Sequence, residues 1–148
     1  MEVNRFAALV GSRIYIDTNI LIYFLEKHPQ WIAQVLPLFE MAAQGTTTLV
    51  TSELTVAEIL VHPYKLGRAD LATRYKRFLK DEGIVELIAL SFDILDAAAA
   101  TRAALGGTLA DAMHVATATL SGCTAFVSND AEIRLPPPAT VITLRQLL

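Results

Sequence analysis

Four carboxylates in this chain stand in or beside apolar stretches. Asp17 lies inside IYIDTNILIYFL, Glu58 inside LTVAEILV, Asp111 inside TLADAMHVATA, and Asp130 ends FVSND. An acid is seldom placed in such surroundings unless it is paired, hydrogen-bonded or bound to a metal. Singly, three have ordinary explanations. Asp17 suits the N-cap of a helix beginning at Asn19. Asp111 follows Thr108 in a capping box, with Asp where Glu or Gln is usual. Asn129-Asp130 is good turn chemistry after a strand. Glu58, one turn after Leu54 and just before Val61, falls on or beside the apolar strip of its helix and wants a partner. Gathered without counter-charge, the four would repel, and at least one pKa would rise. Lys and Arg near them are too few to neutralise them, so a divalent hard cation is the economical answer. Mg²⁺ takes oxygen ligands, keeps several waters, and binds through one or two carboxylates together with substrate phosphate.

Other chemistries fit less well. Glu53, Asp93 and Asp96 are first-turn acids that the helix dipole explains. His28, His62 and His114 are scattered, so no His/Cys cluster suggests zinc. His114, one turn after Asp111, is read as structural or surface-placed. Phosphoryl transfer to an Asp nucleophile generally relies on a late Lys, and none follows Lys80. A dehalogenase-like pair wants a second Asp two residues on, where Asn19 stands. No Gly-rich phosphate loop is present.

The elements that must position these acids alternate. Strands are expected at 13–17, 47–52, 85–91, 123–129 and 139–144, rich in β-branched residues and bounded by turn signals. Helices are expected from Asn19 to about Lys27 and over 31–45, 52–61, 67–83, 92–105 and 108–122. His62-Pro63 should end the third, and Pro37 should kink or split the second. The last strand follows a rigid Pro-Pro-Pro at 136–138. RIYID has no polar alternation, as in a strand buried on both faces of a parallel sheet. The pattern predicts an α/β three-layer sandwich in one domain, 1–148, around a central, mostly parallel five-stranded sheet with right-handed crossovers. Open parallel sheets bind ligands outside the carboxyl ends of their strands, where the four acids fall.

Composition narrows the setting. At 148 residues with 53% hydrophobic content and a net charge of −3, the chain fits one domain and is not globally basic. Contact with a polyanion must use a local patch. Lys65, Arg68, Arg74, Lys76, Arg77 and Lys80 make up six of the twelve Lys and Arg. They could grip phosphates or form a solvated helix face. One cysteine, Cys123, rules out an intramolecular disulfide and suits a reducing cytoplasm; it reads as a small buried hydrophobe. No apolar run is long enough for a membrane span, and MEVNRFAALVGSR has too short an apolar core for a secretion signal. The early apolar residues Ile20, Tyr23, Phe24, Trp31, Leu36 and Phe39 would suit a homodimer face or a partner groove, though core is favoured for most.

IDTNILIYFL at a first strand, a lone Glu in VAEIL after the second, LADAMHVATA opening a late helix, and FVSND after the fourth together resemble the PIN domain (PilT N-terminus) family, over essentially the whole chain. The resemblance implies a Rossmann-like PIN fold and a nuclease using Mg²⁺ or Mn²⁺. Short bacterial and archaeal members are mostly VapC-type toxins of type II toxin–antitoxin pairs, which cleave RNA. Carried over, Asp17, Glu58, Asp111 and Asp130 match the catalytic, metal-binding acids. Asn19 and Ser128 match polar residues that orient acids or water. The chain departs from the pattern in an extra N-terminal segment and in IRLPPP after the last acid. The implied function is a metal-dependent endoribonuclease with an RNA substrate bound partly through Arg68, Arg74, Arg77 and Lys80, a cognate antitoxin partner, a homodimeric state and a cytoplasmic location. A non-catalytic RNA- or protein-binding module on the same fold and a housekeeping RNA-processing nuclease are the alternatives.

Overall fold

The computed structural model describes residues 6–130, 132–136 and 139–147. The first five residues of the N-terminal segment, and residues 137–138 of the Pro-Pro-Pro run, lie outside the described residues. Strands β1 (Arg13–Ile16), β2 (Thr48–Ser52), β3 (Val85–Ile88), β4 (Ala125–Ser128) and β5 (Thr140–Thr143) alternate with helices α1 (Thr18–Leu25), α2 (Ile32–Ala43), α3 (Glu53–Lys65), α4 (Ala69–Asp81), α5 (Phe92–Leu105) and α6 (Leu109–Leu120). The five strands form one sheet in the order β3-β2-β1-β4-β5. Every pairing is parallel.

Burial on both faces explains why the central strands β1 and β4 lack polar alternation. On β1, Ile14 and Ile16 point into one layer, with Leu49, Ala125 and Val127 of neighbouring strands. That layer is filled by Ile20 and Leu21 of α1, Val35, Leu38 and Phe39 of α2, and Tyr75, Phe78 and Leu79 of α4. Tyr15, Val50 and Phe126 point the other way, against Ala118 of α6 and Cys123. Ile94 and Ala98 of α5 pack with Ala112 and Ala116 of α6; such small residues let two helices approach closely. Gly106 and Gly107, both at positive φ, make the turn between them.

One expectation about proline fails: α3 runs through Pro63 to Lys65. At Pro37 helix α2 is not split. Pro37 frees the carbonyl of Ala33, an exposed residue where water can replace the missing donor. The apolar residues named as an interface are mainly core. Ile20 and Phe39 are buried, Tyr23, Phe24 and Trp31 pack against the core, and only Leu36 is exposed. The exposed large apolar residues lie chiefly elsewhere, on the second half of α3 and its end (Val61, Tyr64, Leu66) and on α5 (Phe92, Leu95, Leu105). Cys123 is buried and free, and burial pushes its thiol up. Among the described residues no helix is long and apolar enough to cross a membrane.

Candidate active site

Strand order reverses beside β1. Its own crossover leads to β2 on one side, whereas β4, its neighbour on the other side, leads away to β5. The carboxyl ends of β1 and β4 therefore flank a topological switch point, where parallel α/β sheets open a crevice for ligands. Asp17 leaves one strand and Asn129-Asp130 the other.

Asp17 is the N-cap of α1. Its Oδ1 accepts the Ile20 N–H at 3.3 Å, and its Oδ2 accepts a short hydrogen bond from the Ser128 hydroxyl. The cap and the site are thus one residue. Despite these donors, a donor from the Asn19 backbone and the nearby His114, burial pushes the carboxyl above its ordinary range. Among the described residues no Lys or Arg pairs with it. Ser128 is fully buried and carries the link onward, since its Oγ accepts the Asp130 N–H at 2.9 Å. Asp130 in turn accepts the Glu132 N–H at 2.9 Å, the turn chemistry anticipated for it. The side chain of Asn19 is exposed; its backbone N–H is what reaches Asp17.

Glu58 meets a second set of donors. Its Oε1 accepts the Thr18 hydroxyl at 2.9 Å and lies 2.6 Å from His114 Nε2. His114, chiefly, and Thr18 hold its carboxyl below the usual range. Thr18 adjoins Asp17, so the two acids are tied through one turn of α1. Asp111 and Asp130 are exposed and share a cleft of about 310 Å³, walled by Leu105, Gly106, Val115 and Ile133. Asp111 has its own N–H capped by Thr108 Oγ1 at 3.1 Å. Ser128 joins Asp17 to Asp130, Thr18 joins Asp17 to Glu58, and α6 carries Asp111 and His114.

His114 is the residue that sequence pattern underrated. It is neither on the surface nor a bland core residue: at 5% exposure it bridges Glu58 and Tyr15. Thr18, Thr51 and Thr55 complete the polar lining. The available signal was a His with Thr117 three residues on, on a helix face otherwise made of Ala.

The donors fit a hard cation. Carboxylate and hydroxyl oxygens dominate, and the half-buried Asp17 has no Lys or Arg ion pair among the described residues. Among the described residues no three His, Cys, Asp or Glu side chains close into a ready-made cage.

The basic patch is only partly free. Arg74, Lys76, Arg77 and Lys80 are exposed on α4, whose other face buries Ala72, Tyr75, Phe78 and Leu79. Arg68 pairs with Asp70 at 2.8 Å. Arg74 and Arg77 border a shallow cavity of about 220 Å³ that also contains Glu82.

Solved structures share this architecture. VapBC2 from Rickettsia felis, bound to a DNA fragment from their promoter, aligns with a TM-score of 0.69 at 20% identity, covering 88% of this chain and 98% of that one. A toxin–antitoxin complex from Klebsiella pneumoniae aligns at 0.63 and 22% identity, over 88% and 97%. VapC20 of Mycobacterium tuberculosis, described as a sarcin–ricin loop cleaving toxin, aligns at 0.66 and 13% identity, over 81% and 92%. At these identities the likeness establishes the fold. The chain matches no curated protein. A family model of the PIN domain matches residues 14–136, from β1 through the loop after β4. With that match spanning both sides of the switch point, the chain belongs to the PIN domain family.

Proposed function

We propose that this protein is a metal-dependent endoribonuclease, the toxin of a type II toxin–antitoxin pair acting in the cytoplasm. One observation carries the nuclease reading: at the switch point, a half-buried Asp17 carboxylate with a raised pKa, and with no Lys or Arg partner among the described residues, is linked through Ser128 to the Asp130 backbone N–H. The VapBC and VapC20 neighbours support a toxin, an RNA substrate and an antitoxin partner. A homodimer is part of the same reading.

Asp17, with Asp111 or Asp130 direct or through water, would hold Mg²⁺ or Mn²⁺. The ion, when bound, supplies a Lewis acid for the phosphodiester and a water of lowered pKa. The chain's own groups do the rest. Ser128 donates its proton to Asp17 and accepts the Asp130 backbone N–H, so one hydroxyl orients the Asp17 carboxylate and holds the backbone at Asp130. Glu58, whose ionised form His114 and Thr18 favour, would hold a metal-bound water or take a proton from it. The exposed Arg74, Arg77 and Lys80 bind RNA phosphates; Arg68, already paired with Asp70, contributes less.

Asp17→Asn tests the proposal. It should abolish Mn²⁺-dependent RNA cleavage in vitro and relieve growth arrest on expression. A variant that cleaves at the wild-type, metal-dependent rate overturns it. Failure of the wild-type protein to bind Mn²⁺ in calorimetry favours the non-catalytic binding module instead.

A further inference from the structure

We infer that His114 is a positioning residue: buried between Tyr15 and Glu58, it fixes the Glu58 carboxylate so that one oxygen is clamped and the other is left for the site. The inference rests on the nuclease reading, because it assigns Glu58 a partner within that machinery.

The hydrogen-bond directions follow from counting protons. The Thr51 hydroxyl donates to the Ile16 carbonyl at 3.0 Å. Thr55 must then donate to Thr51 Oγ1, 2.7 Å away. The Thr18 hydroxyl donates to Glu58 Oε1. An ionised carboxylate only accepts, so His114 Nε2, 2.6 Å from the same Oε1, carries a proton and donates it. Nδ1 is then free to accept the Tyr15 O–H, and the two are in hydrogen-bond contact.

Tyr15 is itself immobile. It is fully buried in the central strand, and its ring stacks on Phe126 of β4 with centroids 4.8 Å apart. The His114 ring meets it edge-on at 5.8 Å. Rigidity passes from the sheet through Tyr15 and the imidazole to Glu58 Oε1. Among the described residues no group hydrogen-bonds Oε2, and the Glu58 side chain is 35% exposed. A carboxylate anchored on one oxygen by two donors presents the other in a single direction. Partners of this kind typically change metal affinity or activity 10–100-fold when removed.

The test is a double-mutant cycle on the full-length protein, read by Mn²⁺ calorimetry and by RNA cleavage. His114→Leu should lower kcat about 10–100-fold with KM little changed, and weaken Mn²⁺ binding about tenfold. His114→Gln, whose amide reaches the Nε2 position, should recover most of the loss. Tyr15→Phe should give a smaller loss of the same kind. In a Glu58→Gln background, His114→Leu should cost nothing further, because its effect runs through Glu58. Wild-type behaviour of His114→Leu, or full additivity with Glu58→Gln, overturns the inference. If His114→Leu loses its cooperative melting transition, the same cycle run with Tyr15→Phe decides. A wild-type protein that cleaves RNA but shows an additive cycle removes this inference alone; one that neither binds Mn²⁺ nor cleaves removes the nuclease reading with it.

Discussion

At the end of β1, Asp17 has a hydroxyl and backbone N–H groups for company, and desolvation outweighs them. On α3, Glu58 keeps about a third of its side chain in water and rests against an imidazole and a hydroxyl, which outweigh its burial. The two carboxyls therefore shift in opposite directions although one turn of α1 connects them. Glu58 keeps two donors on Oε1 that favour its charge. Asp17 has donors that do not outweigh its desolvation, and the proposed cation would supply the compensation. On that proposal, the acid that costs the fold most is the one that recruits the metal.

Breaking the two acids separately should expose the difference. Asp17→Asn should cut RNA cleavage by more than about 100-fold and eliminate Mn²⁺ binding, whereas Glu58→Gln should cost about 10–100-fold and weaken binding without eliminating it. Equal losses would deny the asymmetry. Ser128→Ala, which loosens Asp17 and Asp130 together, should reduce cleavage about tenfold, more than the equivalent loss of the Thr108 cap on Asp111.

In the metal-free protein the signs reverse. A folded-state pKa raised above the ordinary 3.8 means that ionised Asp17 opposes folding at neutral pH, and stability is regained as pH falls through the folded value toward 3.8. Glu58, held below the ordinary 4.5, contributes stability above that pH and loses it as pH falls through the folded value. Asp17→Asn should therefore raise metal-free stability at pH 7, and Glu58→Gln should lower it. Urea melts with and without Mn²⁺ measure both; a metal-free Asp17→Asn protein less stable than wild type would contradict the account. The smallest effect concerns the basic helix. Neutralising Arg74 and Arg77 should flatten the salt dependence of RNA affinity by up to about 1.4 in logarithmic slope, and Arg68→Ala by less, because Asp70 already holds that guanidinium.

Strand and helix order was readable because the strands are apolar on both sides and the helices carry caps. Asp17, Ser52, Ser91 and Thr108 all cap as their types suggest. What local pattern does not contain is lateral order. Nothing near FVSND says that β4 lies beside β1, and that placement is what joins Ser128 to Asp17. Pro63 misled because a lost backbone hydrogen bond is a local penalty that packing overrides: it is buried in the continuing helix α3. His114 was underrated for a geometric reason. Three residues after Asp111 the helix has turned by about 300°, enough to carry one side chain into solvent and the other into the sheet. Ala112 and Ala116 mark the buried direction too faintly for periodicity to register it. Arg68 looked free because its partner, Asp70, sits two residues on, not at the helical spacing of three or four.

The hydrogen bond from Ser128 to Asp17 spans 111 positions, and those from His114 to Tyr15 and Glu58 span 99 and 56. Chains emerge from the ribosome at about 5–20 residues per second and begin folding from the N-terminus. A nascent chain that has released β1, α1 and α3 holds Asp17 and Glu58 but neither the hydroxyl nor the imidazole that orients them. The candidate site comes together only when β4 docks beside β1. Fragments truncated before Ser128 would carry Asp17 and Glu58 unoriented, so the proposed nuclease would stay inactive on the ribosome until β4 has been made and docked.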